Sequence, residues 1–161
     1  MEINMNIICI LTGLIFFIAD FLSKRYVIAN VDLGETFGHF TPLIDFTYVQ
    51  NTGAAFSILE GKMILLSVIS VIFSVGVVVF WVVKKPKSKI LKLSLSLLLA
   101  GALGNAVDRI AYGFVVDFIQ TTFINFPVFN IADIGVTVGA VLLAVYAIFF
   151  DETEKKENSD G

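Results

Sequence analysis

Two of the fourteen acidic residues sit where a carboxylate is costly and useful. Asp117 lies in an apolar frame, Phe114-Val115-Val116-Asp117-Phe118-Ile119, and Asp133 opens an apolar stretch with Asn130 three residues before it. Neither has a Lys or Arg within seven positions. Two carboxylates in an apolar, half-dry cleft cannot both ionise cheaply, so one keeps a proton and the pair supplies an acid and a base near neutral pH. Asn130 is a good N-cap, and a helix N-terminus favours negative charge. The competing reading makes Asp133 a plain helix-start residue and Asp117 a loop acid facing water; spacing alone leaves both open.

Further polar residues cluster in apolar surroundings. Asp20 and Lys24 are four apart on one helical face and can pair; Asn105, Asp108 and Arg109 share a face by the same spacing. These are either structural pairs that let polar groups survive near lipid or parts of a site. Gly53 follows Asn51-Thr52 in an expected turn. One cysteine, Cys9, excludes a disulfide framework and a multi-cysteine metal site, and the lone histidine, His39, makes a zinc hydrolase or a Ser-His-Asp enzyme a poor fit. No catalytic role is expected for His39, Cys9 reads as inert packing and Trp81 as a lipid-facing or interface residue. No metal and no cofactor are expected.

The elements that must position these residues are membrane spans. Of 161 residues, 57% are hydrophobic and 16% charged, apolar in the direction of a membrane protein. A net charge of −3 with no basic face argues against a nucleic-acid partner. Four apolar segments are expected at about 7–24, 63–83, 90–107 and 134–150, each long enough for the hydrocarbon core. The chain reads as a single integral membrane domain, 1–161, with outer loops at 28–61 and 110–132 and a solvated, disordered tail at 151–161. Lys84, Lys85, Lys87, Lys89 and Lys92 cluster between the second and third segments, whereas 26–61 and 110–127 hold no Lys or Arg. The positive-inside rule therefore puts that cluster and both termini in the cytoplasm. Lys24, Arg25, Lys62 and Arg109 run against the rule and call for partners. The first segment reads as a retained helix, because Asp20, Lys24 and Arg25 stand where a cleavage site would be small and neutral. Runs such as Leu43–Val49 suggest strands in the first outer loop, and 54–59 a short helix. Gly101…Gly104 and Gly135…Gly139 allow close helix packing.

With these residues in place, the sequence resembles the lipoprotein signal peptidases (signal peptidase II), aspartic proteases of bacterial membranes. Five blocks match in order: Asp20-Phe21-Leu22-Ser23-Lys24, Asn51-Thr52-Gly53-Ala54-Ala55-Phe56, Gly104-Asn105-Ala106-Val107-Asp108-Arg109, Gly113-Phe114-Val115-Val116-Asp117-Phe118, and Phe126-Pro127-Val128-Phe129-Asn130-Ile131-Ala132-Asp133. Phe21 departs from the family, where many members carry Gln. The resemblance implies four transmembrane helices with a small β-rich cradle on the outer surface and a short extracytoplasmic helix. It implies that Asp117 and Asp133 are a catalytic dyad cutting diacylglyceryl-prolipoprotein before the lipidated cysteine, in contact with membrane lipids. Asn51, Gly53, Asn105, Arg109, Asn130 and Ala132 would position substrate or order the dyad, supported by Asp20, Lys24 and Asp108. The site would face the outer side of the bacterial cell membrane, and a monomer is expected. The rival class is a small four-span transporter subunit whose carboxylates carry protons or cations, which would place its acids near mid-membrane; a scaffold without chemistry is the third.

Overall fold

The computed structural model describes residues 5–53 and 59–149. The expected helix at 54–59 and the tail at 151–161 fall almost entirely outside these residues. Among the described residues, four helices are long and apolar enough to cross a membrane: α1 (Met5–Asn30), α2 (Met63–Lys84), α3 (Lys89–Tyr112) and α4 (Ile131–Phe149). In lipid a spanning segment must satisfy its backbone internally, which makes a helix of each apolar run. Three strands, β1 (Thr36–Thr41), β2 (Ile44–Asn51) and β3 (Val115–Thr121), form one antiparallel sheet in that order.

Helix α3 is the hub and packs against each of the other three. Its apolar window is 67% buried, against 17–22% for the others, and is the least hydropathic of the four. A helix surrounded by protein needs less apolar surface than one facing lipid. Glycines set the close approach of α3 to α4: a Cβ at Gly101 would strike the Ala132 carbonyl, and one at Gly139 would meet the backbone of Ser94 and Leu98. Ser94 Oγ donates to the Gly139 carbonyl at 2.8 Å and Ser96 Oγ to that of Cys9, tying α3 to α4 and α1. Trp81 packs against the buried cluster Val77, Leu91, Leu95 and Tyr146 and is not a purely lipid-facing residue.

Helix ends explain the differences from the sequence reading. Ser88 caps α3 by accepting from the Leu91 N–H, and Gly113, left-handed at φ 77°, ends it. Thus α3 runs to Tyr112, five residues past the expected end. Helix α1 continues to Asn30, and its 26 residues reach roughly 39 Å, longer than a hydrocarbon core of about 30 Å. Its last turns pack against the sheet through Val27, which is buried with Tyr48, Val116 and Phe118. Strands in the first outer loop were expected and are present. In the second loop β3 is an addition, and α4 begins at Ile131, which puts Asp133 inside its first turn. The sheet thus sits at the end of the bundle where α1 and α3 finish and α2 and α4 begin.

Candidate active site

Strand β3 brings Asp117 to this junction. Val49 of β2 pairs with Asp117 and Asn51 with Val115, so Asn51 lies beside it on the neighbouring strand. Asp117 is 1% exposed. Its Oδ2 accepts from Asn51 Nδ2 at 2.9 Å and its Oδ1 from Asn130 Nδ2 at 2.6 Å. Asp133 is half-buried. Its Oδ1 accepts from Asn105 Nδ2 at 2.8 Å and its Oδ2 from the Asn130 N–H at 3.1 Å. In return Asn130 Oδ1 accepts from the Asp133 N–H at 2.9 Å, a reciprocal cap on α4. The Gly53 N–H donates to Asn51 Oδ1 at 2.9 Å and so holds the amide that serves Asp117.

Both carboxylates border one cavity of about 470 Å³, together with Asn51, Asn105 and Arg109. Its other walls are mainly apolar, from Phe126–Phe129 and from Ile134, Val136 and Val138 on α4. Burial, and secondarily the charge of Asp133, push the Asp117 pKa up to about 7 against the pull of its bonds from Asn51 and Asn130. Near neutral pH the pair can hold one proton. That arrangement can deliver a proton at one carboxyl and take one at the other.

Behind the cavity lies a buried ion cluster. Lys24, 1% exposed, reaches Asp20 Oδ2 at 2.8 Å and Asp108 Oδ2 at 3.3 Å, and donates to Asn105 Oδ1 at 2.9 Å. Asp20 Oδ1 accepts from the Ala132 N–H at 2.8 Å, so a side chain of α1 caps the start of α4. Asp108 Oδ2 also accepts from the Val116 N–H at 3.2 Å, which anchors β3 next to Asp117. Every sequence-predicted site residue falls in the cavity wall or in this cluster, except that Ala132 contributes a backbone N–H, Gly53 acts through Asn51, and Asn130 lies behind the two carboxylates, bonded to both.

Arg25 is the residue that sequence reasoning missed. Its guanidinium pairs with Asp108 Oδ1 at 2.5 Å and lies over the rings of Tyr112, at 4.2 Å, and Phe21, at 5.3 Å. Phe21 therefore supplies a platform, four residues before Arg25, and this aromatic spacing was the available signal. Arg109 is not the partner of Asp108. Adjacent helix residues point apart, and among the described residues Arg109 makes no ion pair and turns to the cavity. His39 Nδ1 lies 2.7 Å from Asp45 Oδ1 across the exposed β1–β2 hairpin, away from the cavity. The transporter reading finds no support: the paired acids stand at one end of the bundle, one of them on a strand.

A family model described as signal peptidase (SPase) II matches residues 12–149. The chain is 45% identical over 143 residues to a lipoprotein signal peptidase of Enterococcus faecalis, covering 88% of each chain. It is 41% identical over 152 residues to one of Lactococcus lactis subsp. lactis, covering 94% of this chain and 97% of the relative. A solved structure, described as a bacterial membrane enzyme obtained by the in meso method at 2.3 Å resolution, superposes with a TM-score of 0.84 at 36% identity and 92% coverage of both chains.

Proposed function

The chain is a multi-pass membrane peptidase that belongs to the signal peptidase II family, and we propose that it removes the signal peptide from diacylglyceryl-modified prolipoproteins with Asp117 and Asp133 as its catalytic dyad. The observation that carries this reading is the meeting of the two carboxylates, from β3 and α4, on one cavity, with an amide N–H aimed at each carboxylate oxygen.

The mechanism follows from that geometry. Asp133, half-buried at the cavity, takes a proton from water as the water oxygen attacks the scissile carbonyl carbon. Asp117, enclosed and protonated near neutral pH, donates to the carbonyl oxygen and gives a neutral diol. The proton on Asp133 then passes to the amide nitrogen. The C–N bond breaks, a diol hydroxyl returns its proton to Asp117, and the amine of the lipidated cysteine leaves. No bond forms between enzyme and substrate.

Arg109, free of ion pairs among the described residues, faces both this cavity and a second, apolar one of about 460 Å³ along α2 and the end of α3. It is suited to hold a peptide carbonyl where peptide and acyl chains diverge. The lysine cluster lies at the opposite end of the bundle from the cavity, at the α2–α3 connection, which supports cytoplasmic termini and a site near the outer face. The substrate's acyl chains then remain in lipid while water reaches the dyad from outside. We take the chain to act as one domain and as a monomer.

The test is incubation of the purified protein with preprolipoprotein, with and without its diacylglycerol. Cleavage before the cysteine, far faster with the lipid, is expected, because each buried CH₂ contributes about 0.8 kcal/mol. Equal rates would refute the lipid requirement, and no cleavage of either would refute the function.

A further inference from the structure

A side-chain amide presents a donor at one end and an acceptor at the other, and which end faces a carboxylate depends on what grips the opposite end. For Asn51 and Asn130 the grip is local: the N–H of Gly53 and of Asp133 holds the oxygen. Asn105 is held from another span. Its oxygen accepts from Lys24 Nζ at 2.9 Å, 81 residues away on α1, and at the longer distance of 3.1 Å from Asn130 Nδ2, a group that also serves Asp117 and the Val116 carbonyl. An ammonium only donates, so Asn105 Nδ2 is left to face Asp133 Oδ1.

Lys24 could neutralise Asp20 and Asp108 without touching Asn105. Asp108, moreover, already has Arg25 at 2.5 Å. The contact to the amide is the one that charge pairing does not require.

We propose that Lys24 is a positioning residue of the dyad: by gripping Asn105 Oδ1 it keeps the Asn105 N–H on Asp133 and so sets how the Asp117–Asp133 pair shares its proton. This rests on the assignment of those two residues as the dyad. The ionisable groups around the pair are Asp20, Lys24 and Arg25 from α1 and Asp108 and Arg109 from α3, with Asp117 itself on β3 and Asp133 on α4. Of the cations, Lys24 is the one joined to a dyad carboxylate through a single amide. Without it the Asn105 oxygen keeps only the longer, shared bond from Asn130 Nδ2, and Asn105 can turn that oxygen to Asp133, an orientation that only a protonated Asp133 tolerates.

The test uses the full chain in detergent. Lys24→Met alone strands Asp20, so it is combined with Asp20→Asn, which keeps an acceptor for the Ala132 N–H. The double variant should unfold within a few degrees of the parent. Its kcat should fall about tenfold or more with little change in KM, and the acidic limb of its pH–rate profile should move up by about one unit. An infrared titration of the protonated carboxyl band, assigned by its loss in Asp117→Asn, should shift in the same direction. Asn105→Leu, which leaves the ion cluster whole, should reproduce the shift and add nothing to it in the double variant.

A wild-type infrared midpoint and pH limb in Asn105→Leu would overturn the proposal, whether or not the double variant folds. So would additive shifts. Failure of the parent chain to cleave lipidated substrate would instead strike the dyad assignment, and the infrared midpoints would still decide whether Lys24 acts through Asn105.

Discussion

Asn130 and Asp133 hold each other in a closed pair: Asn130 Oδ1 accepts from the Asp133 N–H at 2.9 Å, and Asp133 Oδ2 accepts from the Asn130 N–H at 3.1 Å. The same Asn130 donates from Nδ2 to Asp117 at 2.6 Å. One buried amide thus caps α4 and joins the two carboxylates. Asn130→Ala should lower stability by about 2–3 kcal/mol, from the lost cap and the unpaired buried groups. Cleavage should fall at least about tenfold. Thermal unfolding and initial rates on one preparation check both.

Asp117→Asn and Asp133→Asn should each nearly abolish cleavage while helix content by circular dichroism stays unchanged. Asn keeps the volume but cannot carry the proton that each role needs. Chelators and serine- or cysteine-directed reagents should leave the rate unaffected. Near-normal activity in either variant would remove that residue from the dyad.

Stability and activity should both depend on the pH range set by Asp117. Its pKa is raised by burial and by the Asp133 charge, from an unfolded value of about 3.9 to about 7. The protonated form therefore favours the folded state, fully below about pH 4, and this contribution is lost as pH rises through about 7. Asp117→Asn should accordingly match the parent at pH 4 and exceed its unfolding temperature at pH 8. Cleavage by the parent should be bell-shaped in pH and decline above about 7 as the acid form disappears. An Asp117→Asn variant less stable than the parent at pH 8 would contradict this.

Asp108→Asn should cost about 3–5 kcal/mol, because it leaves Arg25 and Lys24 short of a buried counter-charge beside lipid. It also weakens the hold on the Val116 N–H, so activity should fall with stability. Arg25→Met in the same background should restore part of the stability, measured by thermal unfolding in detergent. No recovery would mean that Arg25 and Asp108 are not coupled.

Gly104→Ala should destabilise by about 1–3 kcal/mol, since its Cβ would stand 2.5 Å from Asp20 Oδ2 and 3.2 Å from the Ala132 Cβ. Gly76→Ala, where the new methyl meets nothing within 4 Å, is the control and should leave unfolding temperature and rate unchanged.

Much of this was legible in the sequence because membrane spans and local caps are local facts. The four apolar runs, the Asn130 cap, the Asp20–Lys24 spacing and the small residues on α3 and α4 each depend on neighbours within a turn or two. The candidate dyad was legible from its apolar frames and from the ordered blocks. Strand β3 was not, because Val115, Val116, Asp117 and Phe118 are all buried and leave no alternation to read. The partner of Asp108 was not legible either. Arg25 lies 83 residues away, and only the packing of α1 on α3 makes them neighbours. Helix ends were missed where α1 and α3 rise beyond the apolar stretch to meet the sheet.

Asp117 comes from β3 and Asp133 from α4, the last of the four spans. On the proposed mechanism a chain still emerging from the ribosome, with only α1–α3 inserted, carries a single acid of the pair. Proteolytic competence would then arrive with the last membrane insertion, so the order of synthesis itself would keep an unfinished molecule harmless to the proteins around it.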